Sequence, residues 1–391
     1  MEKHGTGENP ANKLLSVMRL TGQIFRLQRQ CPNPPVRRPL ALAAAGLMFA
    51  TTLAAQNAAP KPPQPAPAPA NKAQPAKAKA ATPAPLPAHF GRARVLHAKL
   101  PGLPEVIGGD AGGLTTTISV NHASEDHAAI TNILTARMLH AAIIGQAGQS
   151  HAEASLANLQ LTVGQHRISA SFIAGRARAA CARNGAAASG RSEIIGLVVD
   201  GRPVPAPAQP NQRVWWPDGY LALDEQGAPP DGPVGSHAVT PLRVVLKDGT
   251  DITIAAVAAG LDCAQTQPCG QDIITGSGWI TMRANPRPLL FAATMWRTTA
   301  GGLAGHLVFE DAAGGIRFTA DGATTYRVSP SNPNSRLIAG TGMHNGREGV
   351  NYRLELTDGG ETGDQFLLVL GNAYTVSGTV QGGRLRLLPC R

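Results

Sequence analysis

The chain has 391 residues, 15% of them charged, and a formal net charge of +10. Residues 1–88 carry 11 Lys+Arg against 2 acids, while residues 89–391 carry 24 against 23. The basic excess belongs to the leading segments and no basic stripe with interleaved aromatics follows it, so no nucleic-acid partner is expected.

Residues 1–36 read as an N-terminal extension, with Met18 as an alternative start that would place Arg19, Arg26 and Arg29 in a long basic leader. Residues 37–55 read as a signal peptide or signal anchor. Arg37 and Arg38 precede an apolar run over 40–55, shorter than the roughly 20 residues a spanning helix needs. The run ends in the small residues Thr52, Leu53, Ala54 and Ala55, which suit cleavage. Left uncleaved, the 40–55 segment would be the only membrane contact, a single-pass inner-membrane anchor. Export to the periplasm, cell surface or medium is therefore expected, by the general secretory route, since Pro39 and Leu40 do not match a twin-arginine context. Residues 56–88 hold 10 prolines in 33 positions and read as a disordered Pro/Ala/Lys linker in extended conformation.

From 89 onward short alternating or β-branched runs recur between Gly, Asn, Asp and Pro clusters: 167–174, 193–199, 242–246, 252–257, 279–282, 303–309, 316–319, 352–356, 366–370 and 374–380. In the first, Ile168, Ala170, Phe172 and Ala174 alternate with Arg167, Ser169 and Ser171, the pattern of a half-buried strand. The expected fold is mainly β: two antiparallel sandwich-like domains, 89–265 and 266–391. The exception is 124–144, where Ile130, Ile133, Leu134, Met138 and Ala141 share one helical face behind a possible Ser124 N-cap, and a helix is predicted.

Four cysteines lie in this part, Cys181, Cys263, Cys269 and Cys390, and four allow three pairings. Cys181 and Cys263 each end a strand-like run, so a bond between them would staple the first domain, while Cys269 and Cys390 bracket the second. A zinc site of all four competes with this reading, and their wide spacing disfavours it.

Residues 169–204 read SASFIAGRARAACARNGAAASGRSEIIGLVVDGRPV. Small alternating residues lead to Cys181, a Ser/Gly-rich turn follows, and then comes the strand Ser192-Glu193-Ile194 to Pro203-Val204. This resembles the choice-of-anchor P family of exported bacterial proteins. Pro210-Asn211-Gln212, Trp216-Pro217, Leu223-Asp224-Glu225-Gln226 and the run to Cys263 extend the likeness. So do Asp272 to Ile280, Asp358 to Asp364 and Gly382-Gly383, which look like the small domain that often follows in such proteins. The resemblance implies a surface or extracellular β protein of unestablished biochemical role. Members differ in their C-terminal attachment signals; here the sequence closes at Cys390-Arg391 without an apolar tail, so attachment is expected through the N-terminal segment or a partner.

No nucleophile elbow, metalloprotease helix, P-loop or C-x-x-C is present, so no catalytic residues are assigned and no enzyme is expected. His122, Asp126 and His127 read as a solvated cluster, and Gly340-Thr341-Gly342 as a turn. Asp358, Glu361 and Asp364 with their glycines would suit a Ca²⁺ ion, or else a charged hairpin loop; no other cofactor is expected. Trp215 and Trp216 are adjacent, and adjacent strand residues face opposite ways, so one is expected in the core and the other free to stack on a sugar. The leading functional reading is a non-catalytic envelope or extracellular protein with a structural, adhesive or assembly role and a polymer or protein partner. A carbohydrate-binding module is the alternative, and a hydrolase with an unrecognised site the third.

Overall fold

The computed structural model describes residues 89–114, 119–183, 185–265, 272–282, 285–298, 300–372 and 374–389. The extension, the 37–55 segment, the linker, Cys269 and Cys390 lie outside them. Among the described residues no helix is long and apolar enough to cross a membrane.

The first half contains β1 (His89–Lys99), β2 (Val106–Gly113), β3 (Val120–Ile130), β4 (Leu134–Gln146), β5 (Gln149–Val163), β6 (His166–Ala182), β7 (Gly185–Ile195), β8 (Val198–Val199), β9 (Arg202–Pro203), β10 (Gln212–Trp216), β11 (Gly219–Gly227), β12 (His237–Leu246) and β13 (Asp251–Leu261). The second contains β14 (Ile273–Met282), β15 (Asn285–Arg297), β16 (Leu303–Asp311), β17 (Ile316–Asp321), β18 (Thr325–Ser329), β19 (Asn332–His344), β20 (Arg347–Thr357), β21 (Gln365–Leu370) and β22 (Tyr374–Leu388). The protein is mainly β, and among the described residues every strand pairing is antiparallel.

Three layers result. A front sheet runs β10-β11-β12-β13-β1-β2, and a middle sheet runs β3-β4-β5-β6-β8-β9 with β7 also paired to β6. Leu96, Ile143, Leu156, Ile173, Leu242 and Ile254 meet between them in the main core. The second half forms one sheet, β17-β16-β15-β14-β22-β21-β20-β19-β18, that closes on itself where β17 meets β19 through Phe318↔His344 and Thr319↔Met343. The result is a barrel rather than an open sandwich. Its interior is filled by Phe291, Phe309, Phe318, Phe366 and Tyr352 with aliphatic neighbours. The barrel wall then packs on the far face of the middle sheet: Met138, Ala157, Phe172 and Ala174 meet Leu290, Ala292 and Val308, and Ile144 meets Ile273 and Leu388.

This layering explains the failure of the helix predicted over 124–144. That stretch is the end of β3, a hairpin turn and most of β4. From Met138 to Gln146 every residue of β4 is buried, because both faces of the strand are covered. A strand buried on both sides loses its alternation and reads like a helix face. The turn is set by Asn132, whose φ of 61° lies in the left-handed region that Asn tolerates.

Cys181 and Cys263 are bonded, with their Cα atoms 5.6 Å apart. The bond joins the end of β6 in the middle sheet to the turn after β13 in the front sheet, as the sequence led us to expect.

Candidate functional site

The contact between middle sheet and barrel is unusually polar. In β3, His122, Ser124 and Asp126 follow each other at period two, so they share the face toward the barrel, where Asp126 pairs with Arg317 of β17. A β-bulge interrupts the β4–β5 register between Arg137 and His140, with Met138 at a φ of 50°. Bulges re-aim side chains. Here Met138 and His140 both face the barrel, and Arg137 reaches Glu310 of β16.

Glu153 of β5 is the hub. Its Oε1 lies 3.2 Å from His140 Nε2 and accepts from Thr275 Oγ1 at 3.2 Å. Thr275 in turn contacts Thr294 at 2.8 Å, and Ser155 bonds Ser277 across the same seam. His140 is fully buried and its Nδ1 meets Ser124 Oγ at 2.9 Å. His151 Nε2 stands 3.5 Å from Glu153 Oε2, and Arg176 Nε stands 3.8 Å from it; neither nitrogen has a hydrogen-bond partner. Burial works to raise the Glu153 pKa, but the imidazoles of His140 and His151 outweigh it and hold the carboxyl below its ordinary range.

Ser124, His140 and Glu153 thus stand in a hydroxyl–imidazole–carboxylate row. The geometry does not make them a nucleophile system. Ser124 is a mid-strand residue paired directly with His140, and the adjoining cavity touches His151 and Arg176 but neither of that pair. A triad needs room for a carbonyl at the hydroxyl and donors for its oxyanion.

His122 extends the seam, edge-on to Trp296 at 5.3 Å with its Nε2 buried and unpartnered. Burial first, then the charges of His140 and His306, lower its pKa to about 4, against 6.5 ordinarily. The unfolded chain therefore binds more protons than the native one between those values, and stability falls as pH drops through that window. The loss from His122 should reach about 3 kcal/mol by pH 4. His166 works the other way: burial opposes it, but Asp200 and Asp218 raise its pKa, so its contribution is full at low pH and lost as pH rises. Urea midpoints at pH 7 and pH 4.5 test this, and a His122→Leu variant should show a clearly smaller pH dependence than the wild type.

The mouth of the seam is an arginine-lined cavity of about 250 Å³. Arg176 and Arg178 project from β6, Arg191 from β7, and Arg384 and Arg386 from the barrel strand β22, with His151 beside them. Arg176 and Arg191 are direct cross-strand partners, an arrangement that like charges disfavour. Burial and the neighbouring Arg176 and Arg384 lower the pKa of Arg191. Among the described residues Arg176 pairs with Glu193 at 2.9 Å and Arg386 with Asp358 at 3.9 Å, while Arg178, Arg191 and Arg384 make no ion pair. Guanidinium groups held against one another over two buried, unpartnered donors form a ready receptor for an anion. The two R-x-R pairs, Arg176/Arg178 and Arg384/Arg386, were the available signal, since period two puts both members on one strand face. Some 200 residues separate them, and nothing in the sequence places β6 against β22.

The residues expected to hold calcium do other work. Pairing between β21 and β22 ends at Gln365↔Thr379, leaving the N–H groups farther along β22 without that neighbour. Leu385 N donates to Asp364 Oδ2 at 2.6 Å, Leu387 N to Asp358 Oδ2 at 2.9 Å, and Gly359 N to Asp364 Oδ1 at 2.9 Å. Glu361 is exposed, and among the described residues no three acidic, histidine or cysteine side chains are grouped for a metal. The acids at 358 and 364 cap a strand edge.

Trp215 and Trp216 do face opposite ways. Trp216 stacks on His166 at 3.7 Å against the core. Trp215 is 67% exposed, lies 5.3 Å from Tyr220, and the Arg213 guanidinium covers both rings.

No family model matches this chain, and no curated protein does. Among solved structures, a Nitrosomonas europaea protein provisionally described as AttH is similar over 78% of this chain and 93% of its own, at 9% identity and a TM-score of 0.20. So loose a likeness carries no argument.

Proposed function

We propose that this is an exported, non-catalytic envelope or extracellular protein that binds an anionic group in the arginine cavity, in a structural, adhesive or assembly role. The observation that carries the reading is the uncompensated set Arg178, Arg191 and Arg384, set beside Arg176 and His151, whose buried nitrogens lack partners. The leader over 37–55, the Cys181–Cys263 bond and the resemblance to choice-of-anchor P proteins support export, since disulfides persist in oxidising compartments. Saturation of His140 and Glu153 by one another and by Ser124 and Thr275 supports a binding rather than a catalytic role.

The full chain should be retarded at low salt on a gel that displays short anionic end groups. Arg191→Ala with Arg384→Ala should weaken that retention at least tenfold, since one charge-assisted contact contributes about 1.5–3 kcal/mol. Equal retention of wild type and double variant would sink the reading. The exposed Trp215 ring favours a second one, stacking on a neutral sugar, and retention on a neutral gel that Trp215→Ala abolishes would select it instead.

A further inference from the structure

We propose that the anion is a dianionic phosphoryl group carried as the monoester of a polyhydroxy compound, such as a sugar phosphate. Its phosphoryl oxygens would lie among the guanidiniums and its hydroxyl-bearing part in the adjoining cavity. This rests on the anion-binding reading and sharpens it.

The charge balance sets the valence. Among the described residues five guanidiniums line the cavity, and the carboxylates within 4 Å of them are Glu153, Glu193 and Asp358. Two positive charges remain, which a dianion neutralises and a carboxylate or phosphodiester does not. The geometry suits a tetrahedral group, because donors converge from two separate walls, β6 and β7 on one side and β22 on the other. At about 250 Å³ the cavity takes a phosphoryl group and a few further atoms, not a polymer segment.

A second cavity of about 310 Å³ adjoins the first, and Arg191 and Arg384 line both. Its other walls include Glu193, Asp364 and the glycines at 360, 363 and 383. Carboxylates there repel a second phosphate and accept from hydroxyls, so a polyol fits and a diphosphate does not. Bound in this way, the ligand would clamp the barrel to the middle sheet.

Isothermal titration of the full chain with inorganic phosphate, glucose 6-phosphate, glucuronate and dimethyl phosphate tests this. Glucose 6-phosphate should bind most tightly, inorganic phosphate less so, and the two monoanions at least tenfold more weakly than glucose 6-phosphate. Arg384→Ala and Arg191→Ala should each weaken glucose 6-phosphate at least tenfold with the melting temperature unchanged or raised. Glucuronate binding as tightly as glucose 6-phosphate, with sensitivity to both arginine variants, would overturn the phosphoryl assignment and leave the anion cavity standing. Binding of none of the four would overturn both. Phosphate binding indifferent to both variants would overturn the site. An oligosaccharide ending in a hexose 6-phosphate is the last arm: tighter binding than the free sugar phosphate supports the proposal with a polymer end as the source, and equal or weaker binding supports it with the free compound.

Discussion

Replacing Glu153 with leucine is expected to lower the unfolding free energy by about 3–5 kcal/mol, the range seen when one member of a buried charge set is removed. Glu153 is 4% exposed, and its loss would leave His140 and His151 desolvated without a counter-charge and Arg176 beside them with Glu193 alone. Thr275 would lose its acceptor on the carboxylate as well. The same argument gives a partial reversal. A Glu153→Leu/His140→Leu double variant should recover part of the loss, because apolar side chains of similar volume tolerate burial that a lone imidazole does not. Urea denaturation at pH 7 measures both. A shift of less than 1 kcal/mol for Glu153→Leu would mean that water reaches the seam.

The second large effect concerns the cystine. Cys181 and Cys263 close a loop of 82 residues, for which the chain-entropy model gives about 4–5 kcal/mol, less any strain. For a folded part of this size such a loss corresponds to a fall in melting temperature of roughly 10 °C. Thermal unfolding with and without dithiothreitol, and of Cys181→Ser/Cys263→Ser, should show it, with the reduced wild type matching the double variant. A midpoint indifferent to reductant would show that the strands hold the two sheets together without the bond. It would also remove one support for export.

Part of the second half was legible where a strand is covered on one face only, as in β17, β20 and β21. Nine of the ten short runs marked in the sequence fall within single strands, from 167–174 in β6 to 374–380 in β22, while 193–199 runs from the end of β7 across a bend into β8. What escaped notice was of two kinds. β4 and β5 are buried on both faces, so their apolar residues run on without alternation; β3 is largely polar because it feeds the seam. Barrel closure escaped too, since it depends on two residue pairs between β17 and β19 that no local pattern announces.

The site was less legible than the fold. The division of labour between Trp215 and Trp216 followed from strand geometry alone and needed no knowledge of neighbours. The arginine cavity did require such knowledge, since its walls come from strands far apart in the chain. The role of the acids at 358 and 364 was hidden for a related reason. Carboxylates among glycines look like a cation loop until the unpaired edge of β22 supplies them with amide donors. A sequence displays its acceptors, and only the tertiary fold tells which donors reach them first.

The aromatic filling of the barrel carries one last consequence. Phe291, Phe309, Phe318 and Phe366 occupy the space in which wider or emptier barrels carry a small lipophilic passenger. With that space taken by the rings, the barrel is better regarded as a solid peg. Whatever it contributes to recognition must be worn on the outside, and residues there can change with little disturbance to the rings within.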